Sequence, residues 1–416
     1  MAENSNASAS QDEKPTIKER LAKTRGFARS IGYAFIALGI FVAGTMVGNG
    51  SITFHSNNPQ NSGLPNTLDY SSIDSVYQTL RQNYDGKMTE KQLVDGMKSG
   101  LAQAVGDPYT EFFNTADAQK FNEQLSGSFS GIGAELGQDA DKNLIVVAPI
   151  SGFPAEKAGL RAKDIITTIN GKTTTGISVD EAVRQIRGKK GTQVTLKVVR
   201  DKAEQLSITI TRDNIHIPSV THKILDDGIG YMQITQFSED TADLAQKAAQ
   251  EFKDKGVTSV ILDMRDNPGG LLDSAVKVSS LWLPTGSKIL DEKRGSTVIN
   301  SYPAGGQSLL KGMPTVVLIN GGSASAAEIT AGALKDNNAA KLLGEKSFGK
   351  GSVQQIESFR DGSQIKVTVA RWYRPNGQNI DKKGIEPDQK VVMTNDDFKN
   401  GNDPQLDAAI ASLQGQ

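Results

Sequence analysis

A hydroxyl, an amine and an amide in the C-terminal half of the chain have the types and spacing for acyl-transfer chemistry without histidine. Gly321-Gly322-Ser323-Ala324-Ser325-Ala326-Ala327-Glu328 follows an apolar run, Thr315 to Asn320, and reads as a sharp turn of small residues entering a helix. Small side chains leave a hydroxyl accessible there, and the first N–H groups of a helix are free to meet a developing oxyanion. The same segment also reads as a serine N-cap followed by alanines, so a base must tip the balance. Lys350 is the candidate, because Gly349 and Gly351 flank it and permit a close turn that aims its side chain inward. An ordinary lysine has a pKa near ~10.4; lowering it to about 7–8 for general-base work takes about 3–5 kcal/mol of desolvation. A lone lysine is far more often a solvated surface charge, and Lys350 gains its weight from the pairing with Ser325. Gln354, four residues on and uncharged, can hold the amine without restoring the pKa that a carboxylate would raise. The chain has no cysteine, which excludes disulfides, thiolate metal sites and cysteine nucleophiles. Its three histidines are His55, His216 and His222, and the last two read as ordinary strand or loop residues. No metal site and no cofactor is expected.

These groups need a scaffold, and from about Ile215 to Met393 strands and helices alternate. Tyr231 to Thr235 reads as a strand, while Ala245, Ala248, Ala249 and Phe252 mark one helix face. Ser259 to Met264 is nearly continuously apolar, as in a strand buried on both faces. Residues 315–320 and a helix over about 324–335 repeat the unit. The pattern predicts an α/β domain with a largely parallel sheet, whose ligands sit beyond the carboxyl ends of the strands. Val353 to Phe359 and Ile365 to Arg371 read as an appended hairpin, and Gln405 to Leu413 as a short helix that docks on the body or on another subunit.

Upstream, from about Gly127 to Arg212, short strands surround one helix. Ser178 and Glu181 predict a capping box, with Val179, Ala182, Val183 and Ile186 following at one-sided helical spacing. Val194, Leu196 and Val198 alternate, as do Leu206, Ile208 and Ile210. Gly131-Ile132-Gly133-Ala134 precedes a strand, and Ala158-Gly159-Leu160 runs through Asp164-Ile165-Ile166 into Ile169-Asn170-Gly171. That order resembles a PDZ domain. The resemblance implies that Gly131, Ile132, Gly133 and Ala134 turn backbone N–H groups toward a peptide's terminal carboxylate, while the peptide adds as a strand beside the capped helix. Arg187, at that helix's end, is a candidate sensor of the bound peptide, although many helices end in Arg for dipole reasons alone.

The N-terminus predicts the compartment. Ile31 to Gly48 is an uncharged, mostly apolar run of about 18 residues, near the minimum for a membrane span. Lys14, Lys18, Arg20, Lys23, Arg25 and Arg29 precede it, and Asn49 to Leu68 carries no Lys or Arg. The positive-inside rule then places residues 1–30 in the cytoplasm and the rest outside, on a retained anchor in preference to a cleaved signal peptide. His55 to Asn66 reads as a flexible stalk. Ile73, Val76 and Leu80, then Leu93, Met97 and Leu101, predict a helical pair over about 69–105.

Ser325 in GSASAAE, Lys350 in FGKG and Gln354 closely resemble the carboxy-terminal processing, or tail-specific, proteases. So do Gly106-Asp107-Pro108-Tyr109-Thr110, Asp263-Met264-Arg265-Asp266-Asn267-Pro268-Gly269-Gly270, Gly384-Ile385-Glu386-Pro387-Asp388 and the PDZ insertion, so that the likeness runs from about Tyr70 to the end. It implies Ser325 as nucleophile, Lys350 as general base and Gln354 as orienter, with oxyanion donors from the backbone of Ala326 and of Gly269 or Gly270. It also implies an α/β spiral core like that of crotonases and Clp proteases, protein substrates with free C-termini and, from relatives whose terminal helices pair, a homodimer. Where relatives often carry Ser, this chain has Ala327, so no hydroxyl acts there. The expected division is a cytoplasmic tail (1–30), an anchor (31–48), a stalk (49–68), a helical segment (69–126), a PDZ domain (127–212), a protease core (213–395) and a C-terminal helix (396–416). The linkers near 126–130 and 212–220 are expected to be hinges.

Two rival readings carry less weight on chemistry, the second standing as the alternative. Gly344 to Lys350 fits seven positions of a phosphate-binding loop, but Gly351 replaces the Mg²⁺-binding hydroxyl and the next residues read as a strand instead of a helix. A non-catalytic, membrane-tethered PDZ scaffold has no use for an intact Ser325, Lys350 and Gln354. Composition agrees with a globular exported body: of 416 residues 37% are hydrophobic, and 46 basic against 47 acidic side chains leave no global field to attract nucleic acid.

Overall fold

The computed structural model describes residues 64–65, 68–201 and 204–415. The predicted tail, the span Ile31 to Gly48, His55 and the stalk up to residue 63 lie outside the described residues. Among those described, no helix is long and apolar enough to cross a membrane. The chain divides after Lys87 into two units. In the first, helix α1 (Tyr70–Asn83) starts where Asp69 accepts the Ser71 N–H.

The second unit begins with α2 (Glu90–Ala104), opened by a Thr89/Gln92 capping box. Strand β1 (Glu111–Phe113) and helix α3 (Thr115–Ser126) follow, and Phe113 stacks on Phe121 with ring centroids 4.7 Å apart. Gly127 ends α3 in the left-handed region. The predicted hinge segments then pair with each other: β2 (Ser128–Gly131) runs antiparallel to a strand at Asp213–His216, Ser128 opposite His216 and Gly131 opposite Asp213. Between them lie β3 (Ala134–Gln138), β4 (Leu144–Pro149), α4 (Pro154–Lys157), β5 (Ile165–Ile169), β6 (Lys172–Thr173), α5 (Val179–Ile186), β7 (Gln193–Arg200) and β8 (Glu204–Thr211), with Asp213–His216 as β9. The sheet order is β3-β4-β5-β7-β8, with β6 on β5 and β3 at an edge. Its core is the predicted alternation turned inward: Val194, Leu196, Val198 and Ile210 pack with Ala182 and Ile186 of α5. Half of the predicted capping box forms. Ser178 accepts the Glu181 N–H, whereas the Glu181 carboxylate turns to Arg184 and Gln185.

The remainder builds on β10 (Val220–Ile224), β11 (Ile229–Ile234), α6 (Thr241–Asp254), β12 (Ser259–Asp263), α7 (Leu272–Ser279), β13 (Lys288–Arg294), β14 (Thr297–Pro303), β15 (Thr315–Ile319), α8 (Ala326–Asp336), β16 (Lys341–Gly344), β17 (Ser352–Ser358), β18 (Gln364–Tyr373), β19 (Gln389–Lys390), α9 (Asn395–Asn400) and α10 (Pro404–Gln414). One sheet runs β10-β11-β12-β15-β16-β19, parallel throughout except for β10. Both faces are covered, which is why its central strands read as unbroken apolar runs. Val260, Leu262, Val317 and Ile319 pack with residues of α6, α7 and α8, while Ile261, Val316 and Leu318 pack with Ala409 and Leu413 of α10. The predicted C-terminal helix therefore docks on its own body.

The predicted appended hairpin is corrected. β17 and β18 do pair, but β18 also pairs with β13 and with β1, more than 250 residues upstream, in a five-stranded sheet β1-β18-β13-β14 with β17 on β18. Strand pairing at such separation leaves no local mark in a sequence.

Arg265 ties α10 down. Its guanidinium meets Asp263 (2.6 Å), which is 1% exposed, and both oxygens of Asp403 (2.8 Å each), the residue capping α10. Tyr231 Oη donates to the same Asp263 (2.8 Å). Removing one partner of a buried pair costs about 3–5 kcal/mol, because the charge left behind is neither solvated nor paired. Arg265→Met should therefore destabilise the fold by about that amount and expose the 404–414 amides to hydrogen exchange ahead of global unfolding. Exchange rates equal to those of the wild type would show the network to be dispensable.

Candidate active site

The turn after β15 separates its two serines by environment. Ser323 is fully buried; its Oγ donates to the Met264 carbonyl (2.8 Å) and accepts the Asn320 N–H (3.0 Å). Its hydroxyl holds the turn together. Ser325 is half-buried and adopts φ 52°, ψ −112°, a conformation that a β-carbon resists and that only surrounding structure can enforce. It stands immediately before α8, and the Ala326 N–H at the helix start has no backbone partner among the described residues.

The 267–270 loop packs against it. A β-carbon on Gly269 would lie 2.8 Å from Ser325 Cβ and 2.9 Å from the Ala326 nitrogen. Fully buried Asn267 shapes the loop, donating to the Ile234 carbonyl (2.7 Å) and accepting the Gly269 N–H (2.9 Å). The Gly269 N–H is thereby committed. That of the exposed Gly270 has no partner among the described residues, which separates the two glycines the sequence left as alternatives. Gly270 is at φ 142°, and a β-carbon there would lie 2.1 Å from the Phe237 carbonyl oxygen, so no other residue fits.

Glu328 joins the serine turn to the lysine loop. The carboxylate, 1% exposed, accepts from Ser325 N (2.9 Å), Ser347 Oγ (2.6 Å), Gly349 N (2.7 Å) and Lys350 N (2.9 Å). Burial pushes its pKa up while the four donors pull it down, burial prevailing. Sequence reasoning missed this residue, although its place three positions after Ser325 is the capping-box signature.

Lys350 is half-buried, and its Nζ lies 5.0 Å from the centre of the Tyr109 ring. Burial first, then the charge of Lys366, holds its pKa below the usual lysine value, against the opposing pull of Asp107 and Glu328. Gln354 Nε2 donates to Ser352 Oγ (2.8 Å) and Thr368 Oγ1 (3.2 Å). Ser325, Lys350 and Gln354 thus share one cleft of about 530 Å³ with Ala326, Gly269 and Gly270, Phe121 of α3 forming part of its wall. No hydrogen bond joins Ser325 Oγ to Lys350 Nζ, or Lys350 to Gln354, in this arrangement. Catalytic hydrogen bonds are often long without substrate.

The other predicted residues lie elsewhere. His216 contacts Asp240 and His222 contacts Glu251, each at 2.9 Å, and neither lines the cleft. Among the described residues no group of His, Asp or Glu is arranged to hold a metal ion. In the Gly131–Ala134 loop, Ile132 is buried in the core of its sheet; its carbonyl accepts from Ala155 (2.7 Å), and that of Gly133 accepts from Ile150 (2.9 Å). Arg187 caps α5, and its guanidinium meets Glu123 of α3 at 3.0 Å and lies 4.4 Å from the Phe129 ring centre.

A doubly covered, mostly parallel sheet that presents a strained serine in one cleft with a half-buried lysine, with a PDZ-like insertion, describes a PDZ-bearing serine hydrolase. The family model described as peptidase family S41 matches residues 228–391, and that of the PDZ domain residues 119–199. The chain is 39% identical over 331 residues to the carboxy-terminal processing protease CtpA of Bacillus subtilis (strain 168), covering 78% of this chain and 69% of that protein. It is 36% identical to a probable CtpA-like serine protease of Staphylococcus aureus (strain MRSA252), over 93% of this chain and 76% of that one. A solved structure of a putative S41 protease from Bacteroides fragilis shares the fold at 18% identity, with a TM-score of 0.52 over 85% of this chain and 99% of that one. The chain belongs to the S41 family of serine peptidases, among the carboxy-terminal processing proteases, and its substrates are proteins or peptides.

Proposed function

We propose that this peptidase is of the Ser-Lys-Gln type and cleaves near the C-terminal tails of exported or membrane proteins. The observation that carries the reading is the single cleft in which Ser325, Lys350 and Gln354 meet the free N–H groups of Ala326 and Gly270. Lys350 Nζ leaves the face of Tyr109, takes the Ser325 proton as Oγ attacks the scissile carbonyl carbon, and Gln354 turns to hold the amine. The oxyanion of the tetrahedral intermediate accepts from Ala326 and Gly270. The new ammonium protonates the leaving amine, which departs as the C–N bond breaks. Water then attacks the acyl-enzyme, giving a proton to Lys350, which returns it to Ser325 Oγ as the ester bond breaks and the acid product leaves. The core is read as the crotonase-like spiral.

The PDZ domain captures the substrate C-terminus at the edge of β3 and gates the cleft. Helix α3 supports this, because Glu123 on it holds Arg187 while Phe121 and Leu125 of the same helix line the cleft. Glu123→Ala should then change cleavage of a short, C-terminally amidated peptide by about fivefold, the lower end of usual coupling energies, and reduce the advantage of a free C-terminus. Equal kcat/KM ratios for free and amidated peptides in both proteins would remove the gating idea.

Residues 31–48 are proposed to anchor the chain in the cell membrane with the peptidase outside, the basic flank being the support. Release of the full-length protein from membranes by alkaline carbonate would count against it. The overall reading is tested by comparing proteins shortened in cells carrying wild type and Ser325→Ala: tails that persist only in the variant are expected, and identical profiles would refute it.

A further inference from the structure

A second lysine stands in the cleft. Lys366 of β18 lines it together with Lys350 and Gln354. Gln354 is opposite Thr368 in the β17–β18 register and donates to its hydroxyl; Lys366 is two residues along, on the same face of the strand. Its Nζ is 3.1 Å from Glu111 Oε2, its backbone partner on β1, and lies 5.0 and 5.4 Å from the centres of the stacked Phe113 and Phe121 rings. Its side chain is 19% exposed, against 57% for that of Glu111, so the cation is the better shielded partner.

The charged groups acting on Lys350 come from three elements. Lys366 on β18 repels its proton, while Asp107 before β1 and Glu328 on α8 attract it. Tyr109 contributes its ring face, and Arg371 and Asp381 act on the neighbouring Tyr109. Both acids are already engaged, Glu328 by four donors and Asp107 by Thr110 Oγ1 (2.7 Å). Lys350 itself has no ion pair among the described residues, and the fold sets one paired cation, Lys366, in the wall of the same cleft.

We infer that Lys366 is a positioning residue of the reaction, a second ammonium fixed in the cleft whose repulsion favours the uncharged amine at Lys350. This rests on the reading of Lys350 as general base. Since the neutral amine is the active form, activity is present above the Lys350 pKa and lost as pH falls through it. Removing the neighbouring cation must move that loss to higher pH.

The test is kcat/KM for an uncharged fluorogenic peptide from about pH 5.5 to 9.5, at constant ionic strength, in wild type, Lys366→Met, Lys366→Arg, Glu111→Gln and Lys350→Arg. Lys366→Met should raise the midpoint of the acid limb, with activity below it falling roughly tenfold for every pH unit that the midpoint rises, and with convergence on wild type at high pH. Lys366→Arg should keep the wild-type midpoint, and Glu111→Gln should lower it. A pH-independent loss in Lys366→Met would mean a merely structural role. A raised KM confined to acidic substrates at an unmoved midpoint would mean an anion subsite. Either overturns the inference. Should Lys366→Met fail to fold, an unmoved midpoint in Glu111→Gln decides against it. An active Lys350→Arg would overturn the base reading itself; an inactive one with unmoved midpoints elsewhere sinks only the role of Lys366.

Discussion

Lys350→Arg should abolish peptide hydrolysis as completely as Lys350→Ala, with kcat falling by at least about 10³-fold and substrate binding little changed. The guanidinium keeps the positive charge and approximate reach of lysine but does not release its proton near neutrality. A charge-only role would therefore survive the exchange, and a general base would not. Burial and Lys366 lower the Lys350 pKa from the ordinary lysine value, so the neutral fraction at a given pH exceeds that of a surface lysine. The sign follows directly: wild-type kcat/KM should rise with pH through that lowered pKa. Single-turnover kinetics with an activated ester would separate the acylation step, which needs the base most, from release. Appreciable turnover by the arginine variant would contradict the assignment.

The second large effect is expected at Glu328. Four donors from two loops converge on this one carboxylate, three of them backbone N–H groups, and every one is stranded by Glu328→Ala. Each buried donor left unsatisfied costs about 1–3 kcal/mol. With some relief from entering water, a loss of roughly 4–6 kcal/mol is expected, comparable with the stability of many domains. Glu328→Gln keeps the volume but offers one acceptor oxygen and brings an NH₂ toward N–H groups, so it should rescue only part of the loss. Because the carboxylate holds the backbone of both Ser325 and Lys350, kcat should fall at least about 100-fold in any Glu328 variant that still folds, with KM moving far less. Thermal unfolding together with the kcat and KM split is the measurement. A Glu328→Gln enzyme of wild-type kcat would show that the two loops keep their places unaided.

Much of the scaffold is legible because it is written in local periodicity. Ser259–Asp263 and Thr315–Ile319 are apolar at nearly every position because helices cover both faces of their sheet, and α5 and its flanking strands alternate because one side meets a core. The candidate reacting groups stand out for a different reason. A hydroxyl and an amine set among glycines and alanines, in a chain without cysteine and with no histidine nearby, leave few ways to do acyl transfer. The hairpin reads as a simple appendage because its further neighbours, β13 and β1, are remote in the chain, and pairing partners leave no trace in the strand itself.

By itself, then, the amino-acid order determined which functional groups are available and which segments can be strands, helices or turns. Side-chain chemistry and hydrophobic spacing are properties of neighbouring residues. Only the tertiary structure decided that the Gly269 N–H is spent on Asn267 while that of Gly270 is free, and that Glu328 binds the serine turn to the lysine loop. It also decided that Lys366, resting on Glu111 and two phenylalanine rings, lines the same cleft as Ser325 and Lys350. Each of these depends on where residues distant in sequence come to lie, and a hydrogen bond or a Coulomb interaction acts through distance in space, which no local spacing rule contains.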